Sequence, residues 1–440
     1  MTAKTTVPNS KKWKTKGFGV FLALGMTLFV GCRTTGGRAV YDVRDFGAVG
    51  DGVTKDTVAI QAAIDAASSA GGGTVELTSG TYISGSIWLK SNVDFHLAAG
   101  AVLKGSGDIA DYCAADCCPQ NYASSPRSDN TTGGHLILCV GQHNVTMRGP
   151  GKVDGNSDAF LLDETGKRWG AENYERMRRP AQMIWFVDST DIRITDLEIA
   201  DAPYWSCFVL NCDRVWVRGC HIHTQRRRYH TYNGDGLDLD RCRWVEVSDC
   251  RIDTADDCIT LRASGAKRLT DPHDCAFVTI ANCNLSSSCN AIRPGVGEGI
   301  VHDVVISNIT ISDARTAFNF VAAYSKASRG PDIRDVRVAN IRIDAKNFLK
   351  MHHMHSKEAA FANIVFDGVS GKVAERSIIR ARKTKPFEKI VFRNVDLPCG
   401  FEALNADVRI EGGTLQRIAL SEEEIARRNA DMEAGRNRLY

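Results

Sequence analysis

Apolar and polar residues alternate in short bursts along most of this chain, and the bursts share one plan. An alternating apolar triplet is followed by a polar corner and a second alternating pair. The plan is first visible in "VTMRGPGKV" from position 145. It recurs as "IRITDLEI" from 192, "VWVRGCHI" from 215, "VEVSDCRI" from 245 and "VTIANCNL" from 278. "VVISNITI" from 304, "VRVANIRI" from 336, "IVFDGVSG" from 364 and "IVFRNVDL" from 390 continue it. Period-two alternation predicts strands. A self-similar unit that recurs every 23 to 33 residues from 192 onward, too small to bury its own apolar face, predicts a solenoid. With no helical pattern between the strands, the expected architecture is all-β: a single-stranded parallel β-helix over residues 41–415.

The corners have their own chemistry. The fifth position of successive units is Asp196, Gly219, Asp249, Asn282, Asn308, Asn340, Gly368 and Asn394. These residue types tolerate the left-handed backbone that a sharp corner needs. Cys220, Cys250 and Cys283 follow it on three consecutive units, and Cys212, Cys242 and Cys275 precede the strand starts by three. Two such columns predict ladders of small buried side chains, with zinc or disulfides as the sharper alternative. "CAADCC" at 113–118 is the expected disulfide region.

Both ends read as helical. In "DTVAIQAAIDAASS" from 56, Val58, Ile60, Ala63 and Ile64 can share one face. Such a helix would cover the edge of the first coil, and "GGG" stops it. "SEEEIARRNADMEAGRNR" from 421 has Ser421 and Glu424 spaced as a capping box. Residues 416–440 are therefore expected to form a solvated helical tail.

Charge changes the picture only at the front. The formal net charge is +3, but residues 1–31 hold five lysines, no arginine and no acid, which leaves −2 on the rest. That balance gives no reason to expect a nucleic-acid partner. Basic "SKKWKTK", apolar "FGVFLALGMTLFV" and "GCR" have secretory-signal order and are too short to span a bilayer comfortably. "LFVGC" resembles a bacterial lipoprotein signal. That resemblance implies a signal peptide at 1–31, lipidation of Cys32, a linker over 32–40, and an exported body tethered to the cell envelope by lipid. A plain signal peptide with an incidental cysteine is the alternative.

The stretch "YNGDGLDLDRCRWVEVSDCRIDTADDCITL" from 232 carries the candidate chemistry. One lap of a β-helix returns the chain about 4.8 Å away. If residues 235–257 make one lap, Asp235 and Asp257 become neighbours and Asp256 reaches the same groove. Carboxylates that close repel, so at least one should have a raised pKa. A paired acid and base of this kind suits glycoside hydrolysis. The bland alternative is that these aspartates only shape turns.

"NGDG" followed by "DTADDCI" resembles the Asn-Thr-Asp-Gly and Asp-Asp-Cys-Ile pattern of the polygalacturonase family, glycoside hydrolase family 28. The upstream segment "RRPAQMIWFVDSTDIRITDLEIADAPYWSCFVLNCDRVWVRGCHI" is similar to the same family, including Pro203–Trp205. The resemblance runs from about residue 41 to 345. It implies a right-handed β-helix and inversion at the cut bond. Asp256 would be the general acid, Asp235 and Asp257 would hold and deprotonate water, and Asn233 would orient the group. Inversion wants acid and base roughly 6.5–9.5 Å apart.

Two departures bear on the substrate. Asn290, in "SSCNAIRPGVGEG", stands where the family has the histidine that supports the acid, and asparagine does not titrate. Phe318 and Phe320, in "DARTAFNFVAAY", stand where the family clamps a carboxylate with arginine and lysine. Stacking of a sugar ring on these phenylalanines is the expectation. Arg293 is the candidate that restores positive charge, with Arg262 and Arg226–Arg228 as alternates. "HHMH" at 352–355 is read as loop or substrate-rim histidines, because adjacent strand residues point apart and no acid lies near. No metal or cofactor is expected. Residues 167–180 read as an insertion beside the groove. A capped β-helix needs no partner, so a monomer acting on a pectin-type or related polysaccharide is expected. A polysaccharide lyase and an inactive carbohydrate-binding protein are the alternatives.

Overall fold

A computed structural model of the chain describes residues 33–35, 38–121, 131–160, 179–225, 233–264, 269–321, 329–353 and 358–434. The leader, Cys32, most of the 167–180 insertion and Arg226–Arg228 fall outside these residues. The expected linker is in part ordered: Arg33–Thr35 pairs antiparallel with Arg38–Asp42.

From Arg38 to Gly413 the strands stack in parallel, each against the strand one lap on. The predicted repeats are the rungs of one wall. Val215 lies beside Val245, Val245 beside Val278, Val278 beside Val304, and Val304 beside Val336. All eight predicted corners adopt left-handed backbone, with φ between 49° and 66°. Several corner side chains bond along the axis. Asn340 donates to Asn308 at 2.7 Å and Asn308 to Asn282 at 3.1 Å.

The wall that matters for function begins with β1 (Ile137–Val140), β2 (Ile184–Val187), β3 (Cys207–Leu210), β4 (Leu237–Asp240) and β5 (Ile259–Ala263). It continues through β6 (Asn284–Gly297), β7 (Ile300–Val321) and β8 (Asp332–His352). Inward residues of successive strands form one continuous apolar row: Leu237, Ile259, Ile292, Phe318 and Leu349. All five are fully buried, each worth roughly 1.5–3 kcal/mol of transfer free energy. The cysteine columns are ladders of buried free thiols. Their S–H groups reach backbone carbonyls, as Cys242 does to Val209 and Cys283 to Ala281. Cys113, Cys117 and Cys118 are also free.

Both ends are capped. Helix α1 (Thr57–Ser69) buries Ala59, Ile60, Ala63, Ile64 and Ala67 against the first coil. Val58 is exposed, contrary to expectation, because the buried face is set by Ala59 and Ile60. Helix α2 (Glu422–Glu433) carries the predicted capping box. It is more than a solvated tail: Met432 is buried, and Arg428 pairs at 2.5 Å with Glu402 of the last coil. Arg380 also pairs with Glu402. Burial raises the Glu402 carboxyl, but the two guanidiniums outweigh it and hold the acid below its usual range.

The histidines are not at a rim. His352 and His353 are buried. His353 bridges two coils, its Nδ1 accepting from the Arg382 amide at 2.9 Å while Nε2 donates to the Ala359 carbonyl at 2.6 Å. Apolar packing against Phe361 and Phe387 holds the ring inside. His355 lies outside the described residues.

Candidate active site

Strands β4 and β5 pair with Leu237 beside Ile259 and Asp238 beside Thr260. The same register brings Asp235 beside Asp257, and the Gly236 amide donates to the Asp257 carbonyl at 2.9 Å. One lap therefore delivers the predicted neighbours. Gly236 has no room for a side chain: an added Cβ would meet the Cys258 carbonyl at 2.6 Å. Two hydroxyls, Thr254 at 2.7 Å and Ser287 at 2.5 Å, donate to the Asp256 carbonyl and fix the backbone there.

The three carboxyls have different surroundings. Asp257 is buried, and both its oxygens accept: Oδ1 from Asn290 at 2.5 Å, and Oδ2 from Arg293 at 3.0 Å. Asn290 accepts in turn from Asn319 at 2.9 Å. Asp235 is buried, and its Oδ1 has no hydrogen-bond partner among the described residues. Burial, then the charges of Asp256, Asp238 and Asp257, push its carboxyl well above the usual range. Asp256 is half-buried. Burial, then the neighbouring Asp257, push it up to about 7. An oxygen of Asp256, an oxygen of Asp257 and the Cys289 sulfur lie within 4.8 Å of one another. That is closer than the 6.5–9.5 Å expected for an acid and base flanking a water.

The other predicted residues divide into three groups. Arg293 and Asn290 belong to the centre, holding Asp257. Asn233 stands at its edge, accepting from Arg179 at 3.4 Å. Arg262 is committed elsewhere: it pairs with Asp238 at 3.2 Å and Asp240 at 3.6 Å, and its guanidinium lies 4.7 Å from the Trp205 ring centroid. It is a buried structural cation beside the centre. Phe318 and Phe320 cannot stack on a sugar. Both point inward and pack edge-on against Phe366 in the core. Their parity puts Asn319, not a phenylalanine, on the groove side of β7.

Three residues emerge that the sequence reading missed. Cys289 and Arg315 face each other across a β-bulge. On β6, residues 288 and 289 stand opposite Arg315 alone, between the Ser287–Ala314 and Asn290–Thr316 pairings. The Arg315 guanidinium donates to the Cys289 sulfur. Lys350 of β8 pairs with Asn319, which places it on the outward row that includes Arg293. Burial, then the charge of Arg315, lower the Lys350 ammonium, while Glu375 opposes them. No spacing rule announces a bulge, so only an outward-row count along the strands would have pointed to Lys350. N-terminal to the carboxylates the outward row is aromatic, with Trp185 stacked on Phe208 at 5.1 Å and Trp205 on Phe208 at 5.4 Å.

Residues 121–408 match the family model described as glycosyl hydrolases family 28, and residues 40–150 match one described as rhamnogalacturonase A/epimerase, pectate lyase-like. A probable polygalacturonase of Vitis vinifera is 29% identical over 225 residues, 50% of this chain and 43% of the relative. An exo-poly-alpha-D-galacturonosidase of Dickeya chrysanthemi is 25% identical over 352 residues, 70% of this chain and 56% of the relative. The chain thus spans about half the length of these curated relatives. Among solved structures, an exopolygalacturonase from Thermotoga maritima superposes with a TM-score of 0.67 at 18% identity, covering 86% of this chain and 91% of the other. That likeness is one of fold, the right-handed parallel β-helix.

Proposed function

Since the chain belongs to glycosyl hydrolases family 28, we propose that it cuts glycosidic bonds of a pectin-type, uronic-acid-containing polysaccharide by inverting displacement with water. The adjacency of Asp235, Asp256 and Asp257 in one groove carries the reading. Asp256, raised to about 7, keeps its proton below neutrality and gives it to the leaving oxygen. Asp257 accepts from Asn290 and Arg293. It takes a proton from a water that Asp235 helps to hold, and that water's oxygen bonds to the anomeric carbon as the glycosidic bond breaks. The short spacing of Asp256 and Asp257 alone would suit retention. The family resemblance implies inversion, and the anomer first released decides between the two. The half-buried Lys350 and Arg315 offer charge to a substrate carboxylate, the role the phenylalanines cannot fill.

A panel of acidic and neutral oligosaccharides, assayed for new reducing ends, tests this. Polygalacturonate-type substrates should be cut, and NMR should show the first-formed anomer inverted. Replacing Asp256 by Asn should cost about 10²–10⁴-fold, the share a positioned acid supplies. An ultraviolet-absorbing unsaturated product would mean elimination instead. Full activity of D256N would reject the assignment, as would cleavage of neutral substrates alone. We propose further that Cys32 is lipidated after export, with C32A expected to move the protein from the membrane fraction to the soluble one.

A further inference from the structure

We propose that Cys289 is the positioning residue of the general acid, holding the Asp256 carboxyl toward the leaving oxygen and donating its S–H to the carboxylate left after proton transfer. This rests on the reading of Asp256 above and adds a residue to it. The bulge in β6 turns Cys289 to the groove rather than leaving it in the regular ladder. Its backbone is tied to that of the acid, because the Ser287 hydroxyl accepts from the Cys289 amide at 2.8 Å and itself donates to the Asp256 carbonyl. The sulfur lies within 4.8 Å of an Asp256 oxygen. It also receives two N–H groups, from Arg315 and, at 3.2 Å, from Asn290. Donors aimed at the sulfur draw electron density from it and strengthen its S–H as a donor, as in any polarised chain.

The protonation state suits this role. Burial, then the charges of Asp256 and Asp257, push the Cys289 thiol well above the ordinary thiol range, so it carries its proton. Asn290 does not do this work, since its amide nitrogen donates to Asp257 and to the Cys289 sulfur. Sequence position and spatial role have therefore separated: Asn290 occupies the place of the family's histidine, while its neighbour contacts the acid.

A hydrogen bond to the ionised form lowers a carboxyl pKa. The Asp256 carboxyl is faced by Asp235, Asp257, Arg293, Arg315 and Cys289. Removing the S–H from this set should raise the acid's pKa. The basic limb of the kcat/KM profile of C289A should then move to higher pH. Its kcat should fall about 10- to 100-fold, part of the effect a placed acid supplies, with little change in KM. C289S, which keeps a donor, should restore most of the rate and return the limb toward wild type. Methyl methanethiosulfonate at alkaline pH tests the native protein: base removes the S–H proton, the sulfur takes the methylthio group and methanesulfinate leaves, and turnover is read after return to the assay pH. Labelling at Cys289, confirmed by mass spectrometry, should abolish turnover, while C289S should keep its activity through the same treatment.

Wild-type kcat and an unmoved basic limb in folded C289A would overturn the proposal. Full turnover after labelling of Cys289 would do so as well, and this outcome does not depend on the folding of any variant. Failure of the reading it rests on looks different: wild type would release no new reducing ends, or D256N would turn over as fast as wild type, whatever Cys289 does.

Discussion

Strands β4 to β8 present two rows that differ by one residue in position and by everything in chemistry. The inward row, Leu237, Ile259, Ile292, Phe318 and Leu349, is wholly apolar and buried. The outward row beside it runs Asp238, Thr260, Arg293, Asn319 and Lys350. Side chains alternate faces with period two, so a slip of one residue exchanges the rows. A coil of this solenoid can therefore carry a reactive surface and a core on the same few residues. Stability and function should be separable by substituting adjacent positions.

The largest separation is expected at Arg293. Replacing it by Ala leaves Asp257 buried with a missing partner, a change of the kind that costs about 3–5 kcal/mol. Activity should fall by two orders of magnitude or more even where the protein is folded, because the base loses the guanidinium that holds its carboxyl in place. Retained turnover in folded R293A would break the division between rows. The converse test is Phe318→Ala. Its ring packs on Phe348 and Phe366, and truncation should cost about 3–5 kcal/mol in denaturant unfolding. The folded fraction should turn over at the wild-type rate. A large kcat loss without a stability loss would put Phe318 on the substrate side after all.

These rows also explain what the sequence could and could not reveal. Period-two alternation and the Asn, Asp and Gly corners are local, and each unit repeats them, so the β-helix and its left-handed corners at Asp196 through Asn394 are legible. The Asp235–Asp257 pairing is legible because no bulge intervenes between those two coils. Beyond Ser286 the register shifts twice against the next strand. Parity counted from the motif then no longer tells which of Phe318, Asn319 and Phe320 faces out, and Cys289 is turned to the groove by the same irregularity. The burial of His353 is hidden from the sequence for another reason. A polar residue reads as exposed until its two backbone partners, the Arg382 amide and the Ala359 carbonyl, are known.

Protonation should sharpen the same contrast. Burial pushes the His353 imidazole down to about 4, below the unfolded value of about 6.5. The unfolded chain then binds the extra proton between those values, so stability is lost as pH falls from about 6.5 toward 4. Protonating Nδ1 would also remove the acceptor for the Arg382 amide. Thermal melts should drop across that window, and H353N should lessen the drop, the remainder coming from His135, which burial also pushes down to about 4. Asp256, on the outward side, is raised to about 7 in the folded chain against about 3.9 unfolded, so its contribution to stability falls as pH rises from about 4 to 7, and activity is lost above about 7. D256N should remove that fall in melting temperature between about pH 4 and 7, and a fall that persists in D256N would show that Asp256 is not its source.

The smallest effect is expected at Lys350, and it is the most specific. The side chain is half-buried at the far end of the outward row, one strand beyond Asn319. Burial and the nearby Arg315 both disfavour its charge. The fold tolerates two like charges there, and an anionic ligand between them would relieve the repulsion. In K350A the melting temperature should therefore hold or rise slightly, since a strained cation is removed. The KM for an acidic oligosaccharide should rise about fivefold to tenfold, in keeping with one partly exposed charge contact of roughly 1 kcal/mol. A neutral analogue should be unaffected, and raising the salt concentration should shrink the difference between wild type and variant. Equal KM changes for acidic and neutral substrates would mean that Lys350 shapes the groove without reading charge. The outward row would then keep its catalytic half and lose its claim on specificity.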